Sequence, residues 1–164
     1  FMPITIKNGT IINAKEHIIA HQVNGLGVMG GGVARQIKQA YPGVYRRYKT
    51  FVDNHSGPEE LLGRNLMIVT DGKPVYQYDP AGGAKIISNL FGQARIGTSQ
   101  KQTDEKALRK ALEHLYEFAK MDNLSVAMPE GIGCGRGGGD WNEIRSIIEE
   151  VFGDYPVTLY RYTE

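Results

Sequence analysis

The chain has 164 residues, of which 41% are hydrophobic and 9% aromatic, and its 19 Lys plus Arg against 18 Asp plus Glu leave a formal net charge of +1. That balance suits one globular domain and excludes a protein whose main task is to coat nucleic acid. The single cysteine, Cys134, excludes a disulfide framework and a cysteine-based zinc cluster.

In chain order, residues 2–7 read as a short strand with Ile4 and Ile6 on one face, ended by an Asn8-Gly9 turn. The apolar run 17–23 (HIIAHQV) has the length of a buried strand, and 25–32 is a glycine-dense loop. Val33, Ala34, Ile37 and Tyr41 recur at helical spacing until Pro42 stops that helix, and a second helix fits 44–52. Segments 65–70 and 73–78 flank Asp71-Gly72 and predict a β-hairpin. Another buried strand covers 85–91 (KIISNLF). Leu108, Ala111, Leu112, Leu115 and Ala119 mark a helix over 103–121, followed by a strand at 124–128 and a second glycine loop at 131–139. Trp141, Ile144, Ile147, Ile148 and Val151 mark the last helix, closed by Gly153, and 157–162 is the final strand.

Strands alternating with helices predict an α/β layered fold with a largely parallel sheet, as a single domain over 1–164, with ligands bound beyond the carboxyl ends of the strands. No run approaches the roughly 18 apolar residues of a membrane span. The N-terminus carries no basic stretch followed by an apolar one, so a cytoplasmic site without a secretion signal is expected. A monomer is the default.

Glycine is the outlier, at 21 residues, nearly twice the usual share. Much of it falls in two loops. The first is Asn24-Gly25-Leu26-Gly27-Val28-Met29-Gly30-Gly31-Gly32, and the second Gly131-Ile132-Gly133-Cys134-Gly135-Arg136-Gly137-Gly138-Gly139-Asp140. Each contains GxGxxG, follows a strand and precedes a helix. Such loops expose backbone N–H groups where the helix dipole also favours an anion. Two of them point to a ligand with two phosphates or one pyrophosphate; tight packing turns are the plainer alternative. A dinucleotide site would need an acidic residue about 20 positions on, and from Gly30 the first acid is Asp53. A P-loop fails as well, since no G-K-[ST] occurs.

The polar candidates each have a structural alternative. His21, just before the first loop, suits acid–base work on a phosphate or a place in the core. His17 and His21 are four apart, but on a strand that is roughly 13 Å, too far for a metal pair. No metal and no cofactor are expected. Asp140-x-x-Glu143 has the form of a capping box. Arg136 can screen a pyrophosphate or point to solvent. Cys134 lacks a matching base and reads as a small loop residue. Tyr160 can stack on a base or fill the core. Arg35, Lys38, Arg46, Arg47 and Lys49 read as a solvated face.

His21-Gln22-Val23-Asn24 followed by Met29-Gly30-Gly31-Gly32-Val33-Ala34 and Tyr41-Pro42 resembles the first ligand loop of macro domains. Met128-Pro129, then Gly131 to Gly135, then Asp140-Trp141, is similar to their second loop. The resemblance covers nearly the whole chain, in the right order. His21-x-x-Asn24, the triple glycine 30–32 and Asn89-Leu90-Phe91 are similar to the branch holding the yeast-type ADP-ribose-1″-phosphate phosphatase and glycohydrolases that strip ADP-ribose from glutamate.

The resemblance implies a three-layer α-β-α domain with a mixed, largely parallel sheet, and ADP-ribose as ligand. The binding residues it implies are Asn24, Val28, Met29, Gly30, Gly31, Gly32 and Val33 in the first loop, with Asn89, Phe91 and Gln93 at the end of the middle strand. In the second loop they are Gly131, Ile132, Gly133, Cys134, Gly135, Arg136 and Gly137. Gln93 and Arg95 would begin a polar loop lining the distal ribose. The expected activity is hydrolysis of ADP-ribose-1″-phosphate, with Asn24 orienting the distal ribose and His21 assisting water or the leaving group. The alternatives are a non-enzymatic reader of ADP-ribosylated macromolecules and an ADP-ribosyl glycohydrolase.

Two departures stand out. Where many macro domains have Gly-Asp-Ile, with the Asp accepting from adenine, this chain has Gly9-Thr10-Ile11. A hydroxyl accepts without charge assistance. Where the glutamate-linked glycohydrolases have a Lys and an Asp, this chain has Phe91 or a neighbour and Gly137, which disfavours the lysine-dependent mechanism.

Overall fold

The computed structural model describes residues 3–162. Six strands form one sheet: β1 (Ile4–Asn8), β2 (Ile18–Val23), β3 (Asn65–Val69), β4 (Ile86–Phe91), β5 (Val126–Pro129) and β6 (Val157–Arg161). The spatial order is β1-β6-β5-β2-β4-β3, with every neighbouring pair parallel except β3 and β4. Four helices cover it: α1 (Gly32–Ala40), α2 (Pro42–Asp53), α3 (Glu105–Met121) and α4 (Trp141–Phe152).

The strands alternate their side chains between two cores. Ile18, Ala20, Ile86, Leu90, Val126 and Leu159 pack with Leu108, Leu112, Ile144 and Ile148 of α3 and α4. Ile19, Val23, Ile87, Phe91 and Ala127 pack with Ile37, Val44 and Tyr48 of α1 and α2. A sheet buried on both faces explains why 17–23 and 85–91 read as compact, mostly apolar runs without strict alternation. The architecture is the expected three-layer mixed, mostly parallel α/β fold.

One expectation needs correction, and two gain detail. The 65–70/73–78 hairpin does not form. Asp71-Gly72 does turn, with Gly72 at φ +83° and its N–H on the Val69 carbonyl, but Pro74 follows and has no N–H to give a ladder. Residues Val75–Gln77 make a single 3-10 turn, and β3 pairs antiparallel with β4 instead. Pro42 does more than stop α1: it is the first residue of α2, where its missing N–H costs nothing, and Tyr41 before it leaves the helical region at φ −134°, ψ 74°. In β1 only Ile4 is buried, while Ile6 is 37% exposed on this edge strand. Residue 2, included in that expected strand, lies outside the described residues. No described helix is long and apolar enough to cross a membrane.

Candidate functional site

The sheet's topology opens the site. β2 and β5 pair only over Ile18–Ile19 and Val126–Ala127 and then part, while β2 stays paired to β4 through Val23. The chain runs to β4-β3 on one side of this gap and to β5-β6-β1 on the other, the switch point where open α/β sheets hold ligands. A crevice of about 550 Å³ lies there, lined by both glycine loops.

Of the expected residues, His21, Asn24, Val28, Gly30, Gly31, Gly32, Val33, Gln93, Gly131, Ile132, Gly133, Gly135, Arg136 and Gly137 line the crevice. Met29, Asn89, Phe91 and Cys134 do not. Met29 and Phe91 are core side chains at 1% and 0% exposure, placed inward by strand and loop packing. Asn89 is buried beneath the crevice against His21. Cys134 packs against the α3–α4 core, and burial raises its thiol pKa, so it is no thiolate. Arg95 pairs with Glu59 at 2.9 Å. Tyr160 is core, donating to Glu16 at 2.7 Å. Thr10 donates to Gln36 at 3.3 Å, outside the crevice lining.

The first loop is built around Asn24. Its Oδ1 accepts from the amides of Leu26 (3.0 Å) and Val28 (3.3 Å), and its Nδ2 donates to the Val28 carbonyl at 2.8 Å. One Nδ2 hydrogen remains for a ligand. Beneath it, the buried Tyr48 hydroxyl donates to the Asn24 carbonyl (2.6 Å) and reaches Asn24 Oδ1 (3.0 Å). Tyr45 donates to the Gly27 carbonyl at 3.1 Å. Gly25 is required because a Cβ there would lie 2.6 Å from the Pro58 carbonyl oxygen. The loop ends at Gly31, which caps α1 without any side-chain hydrogen bond. The first amides of α1 are therefore open to an anion, with the dipole behind them.

The second loop is fixed differently. Gln22 donates from Nε2 to Gln93 Oε1 (2.8 Å) and Thr103 Oγ1 (2.9 Å), and Thr103 donates onward to the Gly133 carbonyl (2.7 Å). Gly139 N–H shares that carbonyl at 2.9 Å. Internal bonds use the amides of Ile132, Cys134, Gly138 and Gly139, leaving those of Gly133, Gly135 and Arg136, with Gly131 and Gly137, unpaired among the described residues. The helix after this loop offers less than its sequence suggested. Asp140 accepts from the Asn142 amide at 2.9 Å, so the α4 N-terminus carries its own cap. An anion here meets loop amides rather than a helix end.

Charge in the crevice is sparse. Arg136 is exposed, and its guanidinium lies so close over Gly31 that a Cβ there would sit 2.5 Å from Cζ. It thereby bridges the two loops. Glu130 is the crevice's carboxylate, held by Arg161 at 2.7 and 2.8 Å, and that pairing lowers its pKa. No lysine is among the residues that line the crevice. His21 lies on the floor at 1% exposure, with Nε2 at 2.7 Å from Asn89 Oδ1. Burial pushes its pKa down to about 4, so the ring is neutral at pH 7. His17, at the far end of the strand, accepts from the Ser125 amide at 2.9 Å. Sequence reasoning missed Gln22, Tyr48 and Thr103, and the lining by Ile96, Gly97, Thr98, Pro129 and Glu130.

Two glycine loops facing one crevice at the carboxyl edge of a three-layer sheet define an α/β domain built to hold an anionic ligand. The Macro domain model matches residues 20–148, and the chain belongs to that family. It is 24% identical to an ADP-ribose 1″-phosphate phosphatase of Saccharomyces cerevisiae, over 96% of this chain and 98% of that protein. It is 26% identical to a DNA ADP-ribosyl glycohydrolase of Mycobacterium tuberculosis, over 93% of this chain. The chain spans only 40% of that glycohydrolase's length. The macrodomain of Thermus aquaticus DarG shares the fold, with a TM-score of 0.72 at 23% identity over 98% of both chains.

Proposed function

We propose that the chain binds ADP-ribose in the crevice and hydrolyses ADP-ribose-1″-phosphate to ADP-ribose and phosphate. The observation that carries this reading is the set of unpaired anion donors converging on one crevice: the uncapped start of α1, the amides of Gly133, Gly135 and Arg136, and the Arg136 guanidinium. The likeness to a phosphatase of nearly the same length supports the choice of substrate.

In this reading the loops grip the pyrophosphate, and the free Asn24 N–H orients the distal ribose. Water adds to the terminal phosphorus, the bond from phosphorus to the ribose oxygen breaks, and a proton goes to that oxygen. The loops contribute by position and by stabilising charge on phosphate oxygens. His21, neutral at pH 7, accepts a hydrogen bond and does not supply the proton from an imidazolium. The crevice lining contains no lysine, which counts against a lysine-dependent glycohydrolase step.

That neutral histidine favours one second reading, a non-enzymatic reader of ADP-ribosylated macromolecules. Phosphate release from ADP-ribose-1″-phosphate separates the two. Multiple turnovers that fall with Asn24→Ala support the phosphatase. Binding without release supports the reader.

A further inference from the structure

His21 and Asn89 are register partners on the parallel strands β2 and β4 and are 1% and 0% exposed. The far end of the Asn89 amide faces two carbonyl oxygens, Leu66 O at 2.9 Å and Ile87 O at 3.4 Å. Carbonyls only accept, so the amide end turned to them is the NH2. The amide oxygen is then the end facing His21 Nε2 at 2.7 Å, and an acceptor there requires a proton on Nε2. A neutral imidazole carries one proton, so Nδ1 holds a bare lone pair. Nδ1 is buried without a partner among the described residues, although the ring lines the crevice floor. A buried acceptor with no donor is an unmet demand that a ligand can fill.

We infer that Asn89 is a positioning residue that fixes His21 as the Nε2–H tautomer, so that Nδ1 accepts a hydrogen bond from a hydroxyl of the ligand in the crevice. The floor is thus a hydroxyl subsite. Phosphate oxygens bring lone pairs of their own and are turned away from Nδ1 toward the loop amides and Arg136. The inference rests on the ADP-ribose reading, in which the donor is a hydroxyl of the distal ribose.

The test is a ¹⁵N spectrum of the histidine-labelled full chain at pH 7, with His21 assigned from the resonances lost in His21→Gln. The free protein is expected to show a protonated Nε2 and a lone-pair Nδ1. Saturation with ADP-ribose should move Nδ1 toward the hydrogen-bonded range and leave Nε2 in place. Asn89→Leu should mix the tautomers and weaken ADP-ribose binding about tenfold; should that variant not fold, the unsubstituted protein's spectra decide alone. A proton on Nδ1 in the free protein overturns the inference. So does an Nδ1 shift that stays fixed while calorimetry shows ADP-ribose bound. A calorimetric blank instead refutes the ADP-ribose reading and takes the hydroxyl subsite with it, while the free-protein spectrum still decides the role of Asn89.

Discussion

Tyr48→Phe removes one oxygen from beneath the first loop and nothing from the crevice wall. The Tyr48 hydroxyl is the partner of the Asn24 carbonyl among the described residues, at 2.6 Å, and the phenol is fully buried. A buried carbonyl left without a donor costs about 1–3 kcal/mol. Asn24 Oδ1 keeps the Leu26 and Val28 amides, so the loop loosens without unfolding. At roughly 2–4 °C per kcal/mol for a chain of this size, the melting temperature should fall by about 4–8 °C for a 2 kcal/mol loss. Binding then has to re-order about one residue of loop, roughly 1–2 kcal/mol, which weakens ADP-ribose about five- to thirtyfold. Differential scanning calorimetry and a titration with ADP-ribose measure the two effects. A Tyr48→Phe protein that melts within 1 °C of the parent and binds equally well would refute the argument that Tyr48 holds the Asn24 loop.

Stability should also report on His21. Its pKa is lowered to about 4 in the folded chain by burial, so between the unfolded value and 4 the unfolded chain binds the extra proton and stability falls as pH falls. The loss from this group between pH 7.5 and 5 is roughly 2 kcal/mol by linkage, visible in urea midpoints and absent from His21→Phe. Two glycine substitutions should differ sharply. Gly25→Ala drives a Cβ to 2.6 Å from backbone at Pro58 and should cost about 1–3 kcal/mol. Gly31→Ala meets only the movable end of Arg136, so its melting temperature should hardly change while ADP-ribose affinity falls. Arg136→Ala should leave stability within about 0.5 kcal/mol, as for exposed sites. It should also weaken ADP-ribose binding about tenfold and flatten its salt dependence, which titrations at two salt concentrations would show.

The parts of this fold that local pattern governs were readable in the chain. Apolar spacing marks α1 to α4, and β2 and β4 stand out as compact, mostly apolar runs because helices cover both faces of the sheet. Both glycine loops were recognisable, since a loop that must bend sharply near a ligand selects glycine locally. The failed hairpin shows the limit of such reading. Asp71-Gly72 makes its turn, but the partner of β3 is decided by β4, some twenty residues on, and by Pro74. The anchors of the site were hidden for a related reason. Gln22 meets Thr103, Tyr48 meets Asn24 and His21 meets Asn89 across separations of 81, 24 and 68 residues. Nothing in a neighbouring residue reports those pairings. Asp-x-x-Glu marks Asp140 as a cap in the sequence, while the amide it occupies, that of Asn142, is visible only in three dimensions.

The most direct test of the account is a calorimetric titration with ADP-ribose, run beside NAD and AMP at one salt concentration. The crevice with its two anion-gripping loops predicts micromolar binding of ADP-ribose, much weaker binding of NAD and AMP, and loss of the ADP-ribose signal in Asn24→Ala. Absence of ADP-ribose binding, or equal binding of all three, would contradict it.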